Sequence, residues 1–515
     1  MAIYPPTAAD LVAAAGRRNV RISIEEAEIL GTLALGTFAG CDRLTSSEAF
    51  SLPSRHPRTA GRAPLSAENP YNAWVWRCDV VGAEPRGLLT GMEIAVKDII
   101  PIAGQPMGAG STVLQGFTAA FDATVVTRIL DSGGRITGIA TTEDMCLSGA
   151  SVSAASGQVR NPRDPARSAG GSSSGVAALV ASGAVHAGLG ADQGGSIRIP
   201  SSLSGVLGMK PTYGLIPYTG CAPIDPSLDH LGPIAGSVEA MARLLQAVAG
   251  HDHGLDPRQT AQVTVSDYVG NLRGGDRPRR VGILTEGFGR AGLSDPDVDE
   301  TVESTATALT DLGYEVVRVS APLHLGAMDV HGSLLLQGAA QYMLDSGGVG
   351  PIGKGFYDEH IGIAGASGLQ HRGDRLFASV KFAAAVGGYL WDEYGGAFYA
   401  RAQNIALAMR MQYDDLLNDV DVLLMPTTCV QAPLLPKDTV PGMDAVRLAL
   451  DPALISNTCA FNHTGHPALS VPVPGPRGLP VGVMLVSRHF AETSLLQLAL
   501  TMEQAGLTIV TGKVG

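Results

Sequence analysis

Residues 170–200, GGSSSGVAALVASGAVHAGLGADQGGSIRIP, place two glycine-serine loops on either side of a small-residue segment with helical character. The first loop carries three serines after a pair of glycines, and the second carries Ser196 after another pair. Because glycine has no Cβ, backbone N–H groups in such loops can turn toward a ligand and stabilise an anion. A serine beside these groups can attack a carbonyl carbon once a base removes its proton. The stretch therefore predicts a nucleophilic site whose base lies elsewhere in the chain.

The composition of the 515-residue chain is that of a folded globular protein. Hydrophobic residues make up 45% of it and charged residues 16%. The formal net charge of −12 gives no support to a phosphate-binding surface, so we expect no nucleic-acid partner. The six cysteines form no C-x-x-C pair, which favours reduced thiols over a zinc or redox cluster.

The N-terminal sequence MAIYPPTAAD has neither the basic region nor the apolar core of a signal peptide. No segment approaches the about 20 uninterrupted apolar residues of a membrane span. We therefore expect a cytoplasmic protein with no membrane partner.

Changes in the hydrophobic pattern divide the chain. Residues 7–50 space their apolar side chains at helical intervals, and residues 51–70 combine proline, serine and arginine without periodicity. From Leu88 onward short apolar runs alternate with helical stretches, which predicts an α/β fold with a largely buried, mixed sheet. We assign residues 1–88 to a helical N-terminal domain and linker, and residues 89–515 to the α/β domain.

One segment of the predicted α/β domain departs from this alternation. Residues 322–410 are helical throughout and richer in aromatic side chains. Short apolar runs return afterwards, for example DVLLMPTT at 421–428 and GVMLVS at 482–487. We therefore interpret residues 322–410 as a helical insert and expect the C-terminal part to complete the sheet.

Lys97, at the end of the run MEIAVKD, is a candidate base. A lysine in apolar surroundings loses its charge more readily, because desolvation disfavours the ammonium form, and the amine can then accept a proton near neutral pH. Asp98 leaves a second interpretation open from this segment alone, an ordinary lysine paired with the neighbouring carboxylate.

Together with the central stretch, these residues resemble the amidase signature family, the Ser-cisSer-Lys hydrolases. The family pattern runs without a gap from Gly170 to Pro200. Related segments extend the resemblance over almost the whole chain: GMEIAVKDII, RNPRDP, MKPTYGLIPYTG, DHLGPIA, FNHTGHPALSVPV and GLPVGVML. The chain is particularly similar to the bacterial enantioselective amidases that act after nitrile hydratase, which carry a helical leader and DQGGSIRIP. Ser174 is a departure, since many members have glycine there.

The resemblance implies the family's fold, a central mixed β-sheet covered on both faces by helices, with a helical N-terminal leader domain. It also implies a triad with Ser196 as nucleophile, Ser172 after a cis peptide as bridging serine, and Lys97 as base. Neutral Lys97 would take the proton of Ser172, which would take that of Ser196. Water would later hydrolyse the acyl-enzyme, and no metal or organic cofactor is required.

Further roles follow from the same resemblance. The oxyanion is expected against four consecutive backbone N–H groups, those of Gln193, Gly194, Gly195 and Ser196. Three residues are expected to hold the two loops together without taking part in the chemistry: Ser173, Asp192 and Arg198. Three side chains are expected in the substrate pocket, with structural packing as the alternative for each: Met145, Cys146 and Trp391.

We predict a serine amidohydrolase that converts a carboxylic amide to carboxylate and ammonia. By similarity to the nitrile-pathway enzymes the substrate is expected to be an aryl or arylalkyl primary amide; a secondary amide or anilide, a carbamate or a hydrazide is the alternative. The amphipathic leader predicts a homodimer. Membership of a tRNA-dependent amidotransferase, as the component that works on charged tRNA, is a further alternative, which the acidic composition disfavours. A non-catalytic scaffold would be favoured by loss of a triad residue, and all three are present.

Three other hydrolytic arrangements fit less well. GSSSG at 171–175 matches the G-x-S-x-G elbow with Ser173 as nucleophile, but a proline- and arginine-rich loop precedes it instead of a strand. A nitrilase-like arrangement of Cys146 with Glu143 would leave the serine loops unexplained. His251 and His253 form H-D-H, and the chain has no H-E-x-x-H metal motif.

Overall fold

The computed structural model describes residues 4–84, 86–260, 263–274, 277–350, 353–437 and 442–511. The chain forms two compact units, Met1–Leu52 and Pro53–Gly515. Within the described ranges, no helix combines the length and the apolar composition needed to cross a membrane.

The first unit contains two helices, α1 at Ala8–Gly16 and α2 at Ile24–Leu44. Each begins at a capping box, in which a Thr7 or Ser23 hydroxyl accepts from the backbone N–H three residues later. The carboxylate of that third residue accepts in turn from the cap N–H, so two otherwise unpaired donors are satisfied at each helix start. The helical pattern of residues 7–50 is present in these two helices.

The second unit is built on strands, of which the described residues contain thirteen: β1 (Trp74–Val81), β2 (Glu93–Lys97), β3 (Arg135–Ala140), β4 (Arg160–Asn161), β5 (Asp164–Ser168), β6 (Ala187–Asp192), β7 (Leu207–Lys210), β8 (His230–Ala235), β9 (Arg280–Leu284), β10 (Glu315–Val319), β11 (Val422–Pro426), β12 (Ala468–Pro474) and β13 (Pro480–Val486). Eleven form one sheet in the order β1-β3-β2-β6-β8-β7-β12-β13-β11-β9-β10, and β4 pairs with β5 separately. The runs β3-β2-β6 and β11-β9-β10 are parallel and the other pairs are antiparallel, so the sheet is mixed.

The described helices of the second unit are α3 (Thr124–Asp131), α4 (Ser174–Ala181), α5 (Arg198–Ser204), α6 (Val238–Val248), α7 (Pro296–Asp311), α8 (Ala327–Gly338), α9 (Glu359–Arg372), α10 (Ala378–Phe382), α11 (Gly388–Tyr394), α12 (Ala397–Asp419), α13 (Met443–Ala449), α14 (Pro452–Ile455), α15 (Ala460–His463) and α16 (Glu492–Gln504). Strands β6, β8 and β13 are buried at every position, although successive side chains point to opposite faces. Both faces of the sheet are therefore covered, which confirms the predicted α/β fold with a central mixed sheet.

The structure groups residues 53–88 with the sheet. Strand β1 pairs antiparallel with β3, and residues from Pro53 onward belong to the second compact unit, whereas the sequence assigns 1–88 to the N-terminal domain and linker. The sequence of residues 51–70 does not reveal that they belong with the sheet. A segment without periodicity resembles a linker even where it lies along a sheet edge. The predicted insert at 322–410 is helical wherever it has regular structure, and α12 continues to Asp419.

The parallel pairing of β2 with β6 brings the residues of the candidate site together. Strands β2 and β6 are parallel neighbours, so their C-terminal ends, at Lys97 and Asp192, lie on the same edge of the sheet. Gly188 in β6 permits this closeness, since a Cβ there would lie 2.5 Å from Val176 Cγ1 of α4 and 2.8 Å from the carbonyl oxygen of Ala95. Helices α4 and α5 begin directly after the two glycine-serine loops.

Candidate active site

The Lys97 side chain is completely buried at the end of β2. Its Nζ lies 2.7 Å from Ser172 Oγ and 3.4 Å from the carbonyl oxygen of Ala191, and it hydrogen-bonds to both. Burial disfavours the ammonium form and lowers the pKa of Lys97 below its usual value, against smaller opposing effects of nearby acidic groups. The structure thus places a readily deprotonated amine on a serine hydroxyl.

Ser172 follows a cis peptide bond from Gly171. Its carbonyl oxygen accepts hydrogen bonds from Thr142 Oγ1 at 2.8 Å and from the Glu143 N–H at 3.3 Å. The Glu143 carboxylate is itself held by Ser153, whose N–H and hydroxyl donate to it at 2.9 and 2.8 Å. These bonds fix the orientation of the loop that carries the Ser172 hydroxyl.

Ser196 lies on the second loop and is 9% exposed. Within the described part of the chain its hydroxyl has no hydrogen-bond partner, so the structure does not join it to Ser172 by a hydrogen bond. The two loops are linked through their backbones instead, since the Ser173 N–H donates to the Ser196 carbonyl oxygen at 3.1 Å. The structure therefore pairs Lys97 with Ser172 and leaves the Ser196 hydroxyl available.

Four consecutive backbone N–H groups, from Gln193 to Ser196, find no acceptor among the described residues. Glycine is required in their midst: Gly195 has φ +143°, and a Cβ there would overlap Thr458 Oγ1. The Thr458 hydroxyl donates to the Gly194 carbonyl oxygen at 2.6 Å and holds the turn. Unpaired N–H groups beside a serine hydroxyl are what an oxyanion hole needs.

Asp192 and Arg198 form an ion pair that is completely buried. Arg198 Nη2 and Nε donate to the two carboxylate oxygens at 2.9 and 3.0 Å. Arg198 also donates to Asn462 Oδ1 at 2.7 Å and to the Thr458 carbonyl at 2.8 Å. Although burial alone would raise it, the Arg198 charge holds the pKa of Asp192 well below its usual value. The pair spans the Gly194–Gly195 turn and ties it to the C-terminal part of the chain.

Ser173 contacts the end of β6 through its hydroxyl and the Ser196 loop through its N–H. In addition to the N–H bond to Ser196, its Oγ lies 3.2 Å from the Ala191 carbonyl oxygen and accepts from the Ala191 N–H at 3.3 Å. Its neighbour Ser174, where the family often has glycine, reaches the Thr141 carbonyl oxygen and the Glu143 carboxylate, each at 3.4 Å.

A cavity of about 330 Å³ opens at Ser196. Its wall is mainly aliphatic and aromatic, with side chains from widely separated stretches of the chain: Leu147, Ile199, Ile224, Met328, Leu335, Leu336, Phe382, Leu450, Leu454 and Ile455. Two polar atoms of its lining, Gln193 Oε1 and His331 Nε2, are buried without a hydrogen-bond partner in the described chain. Asp451 is the charged residue among those that line it.

His331 is not singled out by the sequence, where it is an isolated histidine of the helical insert. It lies on α8 and its Nδ1 is 3.1 Å from His463 Nε2. Burial lowers the pKa of His331 to about 4, so the ring is neutral near pH 7. A Cβ on Gly194 would lie 2.6 Å from His331 Nε2, which places the ring directly against the predicted oxyanion hole.

The three predicted pocket residues do not share one location. Cys146 lines the cavity at Ser196 and lies 3.3 Å from Thr142 Oγ1. Met145 lines a separate, smaller cavity. The Trp391 indole N–H donates to the Gln337 carbonyl oxygen, and its ring packs on Tyr399 outside the set of described residues that line the Ser196 cavity. Substrate contact by Met145 and Trp391 stays a prediction.

Known proteins resemble this chain over most of its length. The pattern of the family described as Amidase matches residues 76–496. An enantioselective amidase from Rhodococcus rhodochrous is 40% identical over 449 residues, covering 86% of this chain and 85% of that protein. One component of the glutamyl-tRNA(Gln) amidotransferase from Koribacter versatilis is 33% identical over 426 residues, covering 81% and 85%. Among solved structures, a peptide amidase in complex with the inhibitor chymostatin has a TM-score of 0.66 at 28% identity, covering 83% and 86%.

The family match covers most of the chain and includes both glycine-serine loops and Lys97. The relatives span most of the chain and most of their own lengths. This confirms the resemblance seen in the sequence: the chain belongs to the amidase signature family and is an enzyme that hydrolyses amide bonds.

Proposed function

We propose that this amidase acts on primary carboxylic amides with an aryl or arylalkyl group, using Ser196 as nucleophile, Ser172 as bridging serine and Lys97 as base. The observation that carries the proposal is the buried hydrogen bond between Lys97 and Ser172 beside a loop of unpaired N–H groups. The amine is placed to accept a proton, and the loop is placed to stabilise an oxyanion.

In the first half of the reaction, neutral Lys97 accepts the Ser172 proton while Ser172 accepts that of Ser196. The Ser196 Oγ then forms a bond to the amide carbon, and the oxyanion lies against the N–H groups of residues 193–196. When the intermediate collapses, the C–N bond breaks and the nitrogen leaves as ammonia with the proton returned through Ser172. A water molecule attacks the acyl-enzyme by the same proton route and releases the carboxylate.

Ser173, Asp192 and Arg198 serve as positioning residues in this proposal. The Asp192–Arg198 pair and the three hydrogen bonds of Ser173 fix the 193–196 turn against the Ser172 loop. A geometry fixed before substrate arrives lets the N–H groups stabilise the transition state without rearrangement.

The cavity supports a substrate with an apolar acyl group. Its volume of about 330 Å³ lies within the usual range for small-molecule sites, and its aliphatic wall suits an aromatic ring. Two residues of the lining each hold a buried acceptor without a partner, Gln193 Oε1 and His331 Nε2, and in this proposal a small side-chain rotation lets them accept from the two N–H groups of a primary amide. His331 Nε2 is an acceptor when its Nδ1–H donates to His463. Carbamates also carry an NH2 group and are the second candidate, whereas anilides lack one.

The glutamyl-tRNA amidotransferases among the relatives suggest another substrate class, charged on its amino-acid part. Among the described residues that line the cavity, none is lysine or arginine, so the wall offers no cationic partner for a carboxylate. The lining therefore favours a neutral amide.

Replacing Ser196 by Ala should abolish catalysis. We expect kcat for a primary amide to fall at least about 10³-fold, because the nucleophile is lost while binding and the N–H groups remain. Intact-protein mass spectrometry should also show no labelling by a fluorophosphonate. Ser174→Gly, which introduces the residue common at that position in the family, is the matched control and should keep both activity and labelling. Wild-type turnover in Ser196→Ala would contradict the assignment.

Replacing Lys97 by Met should remove activity and change the pH dependence of stability. Burial lowers the pKa of Lys97 in the folded protein below its usual value of 10.5. At a pH between the folded and the unfolded pKa, the unfolded chain therefore binds a proton that the folded chain does not. Wild-type stability relative to Lys97→Met should therefore rise with pH toward 10.5, by at most about 1.4 kcal/mol per pH unit. Wild-type kcat/KM should likewise rise as Lys97 loses its proton.

Urea unfolding of both proteins over a pH series measures this difference. Lys381→Met, at an exposed lysine, is the control and should follow the wild type at every pH. A stability difference that falls as pH rises would show that Lys97 is charged in the folded state and would contradict its role as a neutral base.

A substrate panel with a His331→Leu variant tests the substrate class. Wild-type kcat/KM should be highest for phenylacetamide, lower for ethyl carbamate and lowest for the anilide of phenylacetic acid. In His331→Leu, kcat/KM for phenylacetamide should fall about tenfold, as expected for one lost hydrogen bond. The kcat/KM for the methyl ester of phenylacetic acid should change little, because an ester has no N–H. Met328→Leu, a volume-conserving change in the same wall, should affect amide and ester equally. A preference for the anilide, or equal losses on amide and ester in His331→Leu, would refute the primary-amide proposal.

We also propose that the enzyme is a homodimer associating through the first unit. Helix α2 exposes large apolar side chains, including Ile29 at 63% and Leu33 at 74%, one helical turn apart. Apolar groups left exposed in one stripe mark an association surface. Ile29→Gln with Leu33→Gln should give a monomer in multi-angle light scattering, whereas Glu28→Gln with Thr37→Gln on the same helix should not. A monomeric wild type, or an unchanged dimer in the first variant, would reject this surface.

A further inference from the structure

Asp414, His466 and His489 converge from three separate elements of the second unit. Asp414 lies on α12, His466 just before β12 and His489 just after β13. One ligand atom of each lies within 4.8 Å of the others. Asp414 Oδ1 is 3.0 Å from His466 Nε2 and 3.6 Å from His489 Nδ1. None of the three is among the described residues that line the Ser196 cavity.

A single residue orients both imidazole rings. His466 Nδ1 lies 2.9 Å from Thr464 Oγ1, and His489 Nε2 lies 3.0 Å from the Thr464 carbonyl oxygen. A carbonyl oxygen only accepts, so the His489 proton is on Nε2 and the lone pair is on Nδ1, the nitrogen that faces Asp414. Outward bonds of this kind hold metal-binding histidines in position.

A turn at Gly465 brings the two histidine rings close together. Gly465 has φ +77°, a conformation that favours glycine, and it lies between Thr464 and His466. A Cβ at Gly465 would come within 3.4 Å of His489 Nε2, so the turn brings the two rings together with their centroids 4.1 Å apart.

The two separations measured from Asp414 Oδ1 suit a tetrahedral ion. With metal–ligand bonds of about 2.0–2.2 Å, two ligand atoms of a zinc site lie about 3.3–3.5 Å apart. The observed 3.0 and 3.6 Å bracket that spacing. The Asp414 side chain is 43% exposed and that of His489 18% exposed, so an ion can reach the cluster from solvent.

Two basic side chains lie near the cluster. Arg410 Nε is 3.5 Å from the other carboxylate oxygen of Asp414, and Lys210 Nζ donates to the His466 carbonyl oxygen at 2.7 Å. Arg410 is half exposed and engages Oδ2, which leaves Oδ1 toward the histidines. The Arg410 charge reduces the affinity expected for a divalent cation without occupying the ligand atoms.

We propose that Asp414, His466 and His489 bind a divalent transition-metal ion, with Zn²⁺ as the first choice and solvent as the remaining ligand. Two imidazoles and one carboxylate are a donor set that zinc accepts. The ion joins α12 to the segments beside β12 and β13 and has no part in the amide chemistry. Its function is to stabilise the attachment of the helical segment to the sheet.

Isothermal titration of the EDTA-treated, tag-free enzyme with ZnCl2 tests the proposal, together with thermal unfolding with and without Zn²⁺. The wild type should bind one ion per chain and unfold at a higher temperature with Zn²⁺ present. His489→Gln and Asp414→Asn should weaken binding at least about tenfold, as loss of one ligand of three implies. Arg410→Gln should tighten binding, because it removes the neighbouring charge.

His360→Gln, at an exposed histidine of α9, is the matched control and should bind like the wild type. Zinc affinity equal to that of the wild type in His489→Gln, or no saturable binding by the wild type, would show a purely hydrogen-bonded cluster and overturn the proposal. If His489→Gln or Asp414→Asn unfolds at a lower temperature even without metal, the zinc affinity of Arg410→Gln decides. A zinc affinity unchanged from the wild type in Arg410→Gln would place any bound ion elsewhere and would also overturn the proposal.

Discussion

The hydrogen bond between Lys97 and Ser172 is the interaction on which the active site depends. A lysine amine that is completely buried costs several kcal/mol while charged, so the folded protein favours the neutral amine. Burial on this scale requires a sheet covered on both faces at the point where β2 and β6 end. Gly188 in β6 and Gly175 at the start of α4 allow helix, strand and serine loop to approach that closely. The same packing that stabilises the fold therefore lowers the pKa of the amine that we propose as the base.

The Asp192–Arg198 pair extends this arrangement to the C-terminal part of the chain. A buried ion pair adds little net stability, but losing one partner leaves an uncompensated charge and costs about 3–5 kcal/mol. Here the arginine also contacts Asn462 and the Thr458 carbonyl, some 260 residues away in sequence. The turn that presents Ser196 and its N–H groups thus depends on distant residues as much as on its own glycines.

The sequence predicts those parts of the site that depend on local backbone geometry. Glycines and serines at 170–175 and 194–196 reveal the two loops, because a turn with φ near +143° at Gly195 requires that residue wherever it occurs. His331 leaves no such trace, since an isolated histidine in a helical segment has the same pattern whether it packs or faces a cavity. The placement of Trp391 against Gln337 and Tyr399 depends on how helices cross, which spacing does not encode. The pairing of β1 with β3 was also hidden, because residues 53–73 before it have the composition of a linker.

The helical segment after residue 322 contributes to the wall of the Ser196 cavity and also contacts the segments beside the sheet. Helix α8 carries His331 and Leu335 into the cavity, and α12, which packs against α8, carries Asp414 to His466 and His489 beside the sheet. This helix pair is held at Asp414 by these polar contacts and is packed against the Gly194 turn through His331. The position of the cavity wall is therefore determined partly by contacts outside the cavity. Substitutions that alter specificity in such a fold need not touch the substrate, because the wall is only as well placed as the attachment of the helices that form it.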